Sequence, residues 1–381
     1  MVCSSVICSY ACVRLPKART LPNWGCLREE RFSFGAHNRT NIYNLHIRNF
    51  ARYFLDMAKA RIVVVNFNAG KNLLSCMEAL CAQTEQDFEV NIVDNASKDD
   101  SLKYVPTDER FEIIRSVMNI GFAAGCNLGA RNCEAPFLIF LNPDAFPEPR
   151  WLQELLAASQ KYPAAAMFGS LQLSATDSTI IDGAGDCYSC FGLPWRGGYG
   201  RALIALPPYT QTFSPCGAAA MFRTEWFLRV GGFDEAFFCY LEDVDLAFRI
   251  RLVGGRCLQV NSAIVHHVGS ATLGAGSPFI LYNSVRNRVW TVVKNIPGLL
   301  FYIIMPLHIA AAVYLYFRLL RSPVAEALRS GIRDGFADLP RVWKQRAQIQ
   351  RSRTASVGDI ARAINWSISS LRKRAISLRE W

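Results

Sequence analysis

The chain has 381 residues, 51% of them hydrophobic, enough to bury a substantial core and to form one large domain or two. Its net charge of +11 is unevenly spread: residues 1–58 carry +5, residues 59–317 carry −3 and residues 318–381 carry +9. A nucleic-acid groove would place basic residues in the folded middle, so nucleic acid is excluded as a partner and the basic ends point to an anionic membrane surface.

Residues 1–56 show no clear periodicity and hold four of the thirteen cysteines: Cys3, Cys8, Cys12 and Cys26. Their apolar start lacks a basic stretch before it, which fits a signal peptide poorly. They read as an unstructured extension, with Met57 the expected true start. The remaining cysteines include Cys187 and Cys190, whose spacing lacks the second pair a zinc site needs. With no secretory signal and no disulfide framework, a reducing compartment is expected.

From Arg61 to Asn68 a β-branched run predicts a first strand, followed by a helix over 71–82. A second strand spans 88–93 and ends in Asp94-Asn95-Ala96-Ser97. Asn66, Asn68 and Asp94 thus stand at strand ends, where they can hydrogen-bond a pyrimidine ring and its ribose; Asn95 can instead form the turn. The turn after the first strand lacks the glycine spacing of a dinucleotide site, which excludes an ordinary NAD enzyme. Residues 119–129 form a glycine-spaced turn entering a helix, where small residues admit a ligand to the backbone and N-terminal amides favour phosphate.

The apolar run 137–141 predicts a buried strand, ending in Asn142-Pro143-Asp144. Ligands of open α/β sheets sit beyond such strand ends, and a carboxylate there can hold a hard cation that grips a diphosphate. Downstream, Glu242, Asp243 and Asp245 open an amphipathic helix. The macrodipole should keep these carboxylates ionised, and Arg249 can pair with Asp245 on the helix surface. His266 and His267 follow a short strand over 256–260.

This order of motifs resembles the family-2 glycosyltransferases of GT-A fold, in particular their bacterial rhamnosyltransferase-like branch, over roughly residues 59–295. The resemblance implies an α/β Rossmann-like, mixed but mostly parallel sheet flanked by helices over 57–275; the apolar run and basic tail beyond it predict a helical, membrane-associated region over 276–381. The resemblance also implies that Asn142-Pro143-Asp144 stands where the family has Asp-x-Asp, with its first Asp replaced by Asn. Asp144 and a later histidine, His267 rather than His266, would hold a divalent Mg2+ or Mn2+ ion. Asp243 would be the general base and Glu242 an acceptor contact. Asn119, Gly121, Phe122, Gly125 and Asn127 would lie beside the nucleotide, with Asn142 next to the metal. Asn119 and Asn127 can equally cap the helix.

The implied reaction is inverting transfer of a sugar, rhamnose from dTDP-rhamnose by preference, to a glycan or lipid-linked acceptor in cell-surface polysaccharide synthesis. Two other readings compete. A nucleotidyltransferase shares the sheet but needs a Gly-rich basic loop after the first strand, where only Lys71 stands. A silent sugar-nucleotide-binding module would not need the intact carboxylates. Finally, residues 295–317 carry no formal charge, long enough to cross a bilayer, although Pro297, Pro306 and His308 interrupt them. Embedding in or on the membrane, spanning or re-entrant, is expected at the cytoplasmic face of the inner membrane. Arg318 to Arg353 would face its anionic lipid, or form an ordinary solvated helix face.

Overall fold

Three consecutive valines, stiff at χ1 and suited to a pleated surface, set the first strand, β1 (Ala60–Asn66). In the computed structural model, which describes residues 58–269 and 277–381, β1 leads into α1 (Lys71–Cys81). The expectation for residues 1–56 lies outside the described residues. Helix α1 buries Leu73, Cys76, Met77 and Leu80, one stripe at helical spacing. β2 (Phe88–Asp94), β3 (Phe111–Arg115), α2 (Phe122–Gly129), β4 (Phe137–Leu141) and the short β5 (Ala145–Pro147) follow. Next come α3 (Trp151–Lys161), β6 (Met167–Ser174) and β7 (Ile180–Ala184). A separate hairpin pairs β8 (Asp186–Tyr188) with β9 (Pro194–Arg196). β10 (Arg201–Ala202), β11 (Tyr209–Thr212), β12 (Ala219–Arg223), α4 (Thr224–Arg229), α5 (Glu242–Leu252) and β13 (Cys257–His267) complete the mixed α/β body.

The main sheet runs β10-β7-β6-β12-β4-β1-β2-β3, with β13 paired to β6, β5 and β11. Strands β4, β1, β2 and β3 are parallel, while β12 lies antiparallel between β4 and β6. Side-chain alternation divides the core in two. Ile62 and Val64 face α1 and α3 with Leu73, Met77, Trp151 and Leu155. Val63 and Val65 face the opposite layer with Cys126, Phe140, Phe227 and Leu246. In register, Asn66 lies opposite Asp94, and Val64 opposite Leu141, so the carboxyl ends of β1, β2 and β4 open at one edge.

One sequence expectation changes. The expected strand over 256–260 is the long β13, and both histidines lie within it rather than after it. The glycine spacing also gains a reason the sequence did not show, since helix packing itself requires Gly125 and Gly129: a Cβ would stand 2.9 Å from Val65 and 2.4 Å from Val63. Gly121, at φ +86°, is closed in the same way by Phe238.

Beyond β13, α6 (Pro278–Asn295), α7 (Gly298–Leu319), α8 (Ala325–Ala337), α9 (Leu339–Ser352), α10 (Val357–Ala363) and α11 (Ile368–Arg372) wrap the body. Helix α8 returns to α6 at close range. A Cβ on Gly331 would meet the Tyr282 carbonyl at 2.7 Å, and the Trp290 indole donates to the Gly335 carbonyl. Arg346 of α9 donates to the carbonyls of Val293 and Ile296, closing the end of α6. Helix α7 is apolar and long enough for a bilayer, and it buries only Leu300, Phe301, Ile304 and His308. The helices before and after it, α6 and α8, pack against each other. The basic stretch is also partly structural: Arg341 pairs with Asp338 and Asp234, and Arg346 caps α6.

Candidate active site

The carboxyl edge of β1 and β2 is tied together from within. Asn66, fully buried, donates to Asp94, Ser97 and Ser101, and its Oδ1 has no partner. Asp94 is also buried, so these two side chains shape the 94–101 loop rather than lie open to a ring. Asn68, exposed and at φ +54°, accepts from the Lys98 amide. Asp99 accepts from the Gly70 amide. Asn95, which the sequence reading left to a turn, accepts from the Ile120 amide and donates to Asn119 and the Gly121 carbonyl. It thereby holds the start of α2, with half-buried Phe122 beside it. Asn127 is spent elsewhere: it bonds Phe233 through both amide atoms and donates to Glu235.

At the end of β4, the backbone N–H of Asn142 donates to the Ala218 carbonyl, and Asp144 is half-buried. β5 then pairs with β13 so that His267 lies opposite Ala145. Successive strand residues face opposite ways, so only one histidine can meet Asp144. His267 does: its Nε2 is 3.4 Å from Asp144 Oδ1 and 3.5 Å from the Asn142 amide. His266 faces away and meets Glu148 at 3.1 Å. The Nδ1 of His267 contacts Asp182 Oδ2 at 2.8 Å, and the same oxygen takes Arg196 at 2.5 Å. Asp182 and Arg196 carried no sequence motif. Burial disfavours a charged His267 ring, but Asp144 and Asp182 on either side outweigh it and push its pKa up to about 9.

Among the described residues, no three or more His, Cys, Asp or Glu side chains form a metal cage. Asp144 and His267 are instead two neighbouring groups that could ligate a cation, with Asn142 beside them. As it stands the protonated ring reaches a carboxylate on either side; a cation taking the place of the Nε2 proton beside Asp144 would leave Nδ1 donating to Asp182, the arrangement of a carboxylate-oriented imidazole ligand. Such a set fits a cation that completes its shell with diphosphate oxygens and water.

The second cluster begins at α5. Three non-glycine residues just before it, Phe238, Tyr240 and Leu241, adopt φ of 64°, 68° and 66°. Asn287 of α6, fully buried, clamps this loop by donating to the carbonyls of Phe237, Cys239 and Tyr240. The strained turn aims Asp243 at the Gly217 amide, 3.0 Å from Oδ2, while Oδ1 accepts from its own helix at Val244. Gly217 precedes Ala218, whose carbonyl holds Asn142, so one short segment joins the two clusters. Burial raises the Asp243 pKa against these hydrogen bonds, and raises Glu242 well above its usual range with Asp243 adding to the effect. The macrodipole therefore does not decide their ionisation as the sequence suggested; desolvation does. Glu242 is buried with Oε2 unpartnered.

Asp245 departs from its expected place. It pairs with Arg249 at 2.8 Å, but both are buried, and Lys294 and Asn295 also reach it at 2.8 and 2.7 Å. The pair belongs to the junction with α6, not to the helix surface. Asp243 itself lines a groove of about 620 Å³ with Asp186, Arg196, Tyr199, Tyr240 and Arg374.

Residues 61–231 match Glycosyl transferase family 2, a span that ends before α5. Over 237 residues the chain is 27% identical to N-acetylglucosaminyl-diphospho-decaprenol L-rhamnosyltransferase of Mycobacterium tuberculosis, covering 55% of this chain and 76% of the relative. Among solved structures, GalNAc-T7 aligns with a TM-score of 0.53 at 14% identity, over 75% of this chain and 57% of that one. Residues 1–349 of S. aureus TarS align with a TM-score of 0.51 at 14% identity, over 83% and 91%. The fold is thus GT-A, residues 61–231 carry a family-2 glycosyltransferase domain, and the chain is a glycosyltransferase similar over 237 residues to a rhamnosyltransferase.

Proposed function

We propose that the protein transfers rhamnose, from dTDP-rhamnose, with inversion to a hydroxyl of a lipid-linked glycan acceptor in cell-surface polysaccharide synthesis. The observation that carries this reading is the junction at 217–218, which sets Asp243 beside the strand edge bearing Asp144 and His267. Asp144 and His267 hold a divalent cation, Mg2+ or Mn2+, with Asn142 adjacent. When bound, the cation supplies positive charge to the diphosphate leaving group. GalNAc-T7 was crystallised with UDP, GalNAc and Mn2+, which agrees with this use of the edge. Asp243 takes the proton of the attacking hydroxyl, while Glu242, Tyr240 and the groove orient the acceptor. A single displacement at the anomeric carbon then inverts its configuration. The donor base and ribose lie over the β1–β2 edge, near Asn68 and the loop that Asn66, Asp94 and Asn119 organise, with Gly121, Phe122 and Gly125 shaping the neighbouring wall.

The acceptor reading draws on the mycobacterial relative, whose name specifies a diphospho-decaprenol substrate, and on the exposed apolar residues of α7, including Leu299, Tyr302, Ile303 and Phe317. We place α7 on the cytoplasmic leaflet as an interfacial helix, with Arg318 and Arg321 at its end facing anionic lipid. The test is transfer from dTDP-rhamnose with dTDP release as the readout. Asp144→Ala should abolish it, and EDTA should stop the wild type until Mn2+ or Mg2+ is restored. Unchanged turnover under thorough chelation would refute the metal assignment, and pyrophosphate release would point to a nucleotidyltransferase.

A further inference from the structure

Beside the acceptor groove lies a second cavity of about 490 Å³, walled by α6, α7, α8 and α9. Val285, Val289, Met305, Ile309, Leu328 and Phe336 give it an almost wholly apolar lining. The two cavities share a wall, because Arg288 and Leu315 line both. Arg288 is the cation at that seam. Its Nε is buried without a hydrogen-bond partner, and it forms no ion pair among the described residues. Leaving a guanidinium so placed is costly unless an anion meets it. On the polar side, Arg374 stands over the Tyr199 ring, a second cation in the same groove. Asp243 and the guanidinium groups of Arg196, Arg288 and Arg374 thus line one groove, and at Arg288 that groove meets the hydrocarbon-lined cavity. A carboxylate, guanidinium groups and hydrocarbon complement a sugar hydroxyl, a diphosphate and a long lipid joined in one molecule.

We propose that the apolar cavity between α6, α7, α8 and α9 holds the hydrocarbon tail of the acceptor, with Arg288 gripping the acceptor's diphosphate at its mouth. The proposal rests on the lipid-linked reading above and adds where each part of the acceptor lies. Its volume falls within the range of ligand pockets, about 300–1,000 Å³. It takes the first part of a long chain, the rest continuing along α7 into the leaflet.

Titration calorimetry on the full chain tests this with two probes, farnesyl diphosphate and inorganic diphosphate. Wild type should bind the tailed probe at least about tenfold more tightly, with a negative heat-capacity change from apolar burial. Ala312→Trp, which fills the cavity, should erase that advantage and leave inorganic diphosphate unchanged. Arg288→Gln should weaken both probes by about tenfold or more. Melting curves confirm that each variant is folded. Equal binding of the two probes by wild type, or a tail advantage that survives Ala312→Trp, overturns the proposal. If Ala312→Trp instead lowers binding to phosphatidylglycerol vesicles or changes the oligomeric state while sparing farnesyl diphosphate, the cavity serves a bilayer or a second copy. Rhamnosyl transfer to a tailed acceptor separates the two levels. If Ala312→Trp keeps the wild-type KM, the cavity is misassigned while the reaction stands; if wild type turns over no tailed acceptor, the lipid-linked reading itself fails.

Discussion

At the residue scale, Asp243 carries the sharpest expectation. Asp243→Asn keeps the Gly217 contact but cannot take a proton, so kcat should fall by about two to four orders of magnitude. Donor affinity, measured with dTDP, should barely move. Burial favours the protonated carboxyl, so the acid limb of kcat/KM in the wild type should lie above the ordinary carboxylate range, with activity rising as pH rises. A limb at the ordinary position would mean that Asp243 is not the base. The same burial at Glu242 makes the native state hold its proton more tightly than the unfolded chain, so its contribution to stability weakens as pH climbs from about 4.5. The sequence showed these carboxylates but not their desolvation, which arises only in the fold, where the segment at Gly217 and Asn287 of α6 close on the start of α5. It also showed two histidines without a means to choose by geometry; strand alternation and the β5 pairing do that.

At the scale of elements, α5 is held from α6. Among the described residues Asp245 is the only carboxylate paired with Arg249, and it also reaches Lys294, which Asp234 holds as well; Asp245, Arg249 and Lys294 are all buried. Asp245→Asn should therefore cost about 3–5 kcal/mol, seen as a lower Tm, because it strands buried charge. A normal Tm with lost transfer would move Asp245 into the chemistry. Asn287→Ala removes three hydrogen bonds from a turn with three residues at positive φ, and should destabilise by about 1–3 kcal/mol. Its distinguishing effect is a lower kcat at unchanged donor affinity, since the turn aims Asp243 alone. The strand over 137–141 was legible to the residue because its five apolar positions end at a polar turn. β13 was read short because Asn261 and Ser262 break its apolar run, at the point where its register with β6 shifts. Lys294 and Asn295 reach Asp245 from some fifty residues away, a distance that no local pattern encodes.

At the scale of the molecule, the α/β body was written in its motifs, and the C-terminal helices were written only as an apolar run with a basic tail. What that run does depends on the return of α8 to α6, which rests on two glycines a turn apart and leaves no periodic signal. Asp182 and Arg196 were equally silent, each an isolated charge in a segment without motif. Yet they connect the halves of the site. A single oxygen, Asp182 Oδ2, faces His267 on the proposed donor side and Arg196 on the proposed acceptor side. Two binding events thus compete for, or reinforce, one shared negative charge, and free-energy linkage requires the influence to run equally in both directions. Arg196→Gln should for that reason change the Kd for dTDP measured in the presence of Mn2+, although Arg196 lines only the acceptor groove. Communication between the two substrates would then run through a single carboxylate oxygen rather than through a moving lid.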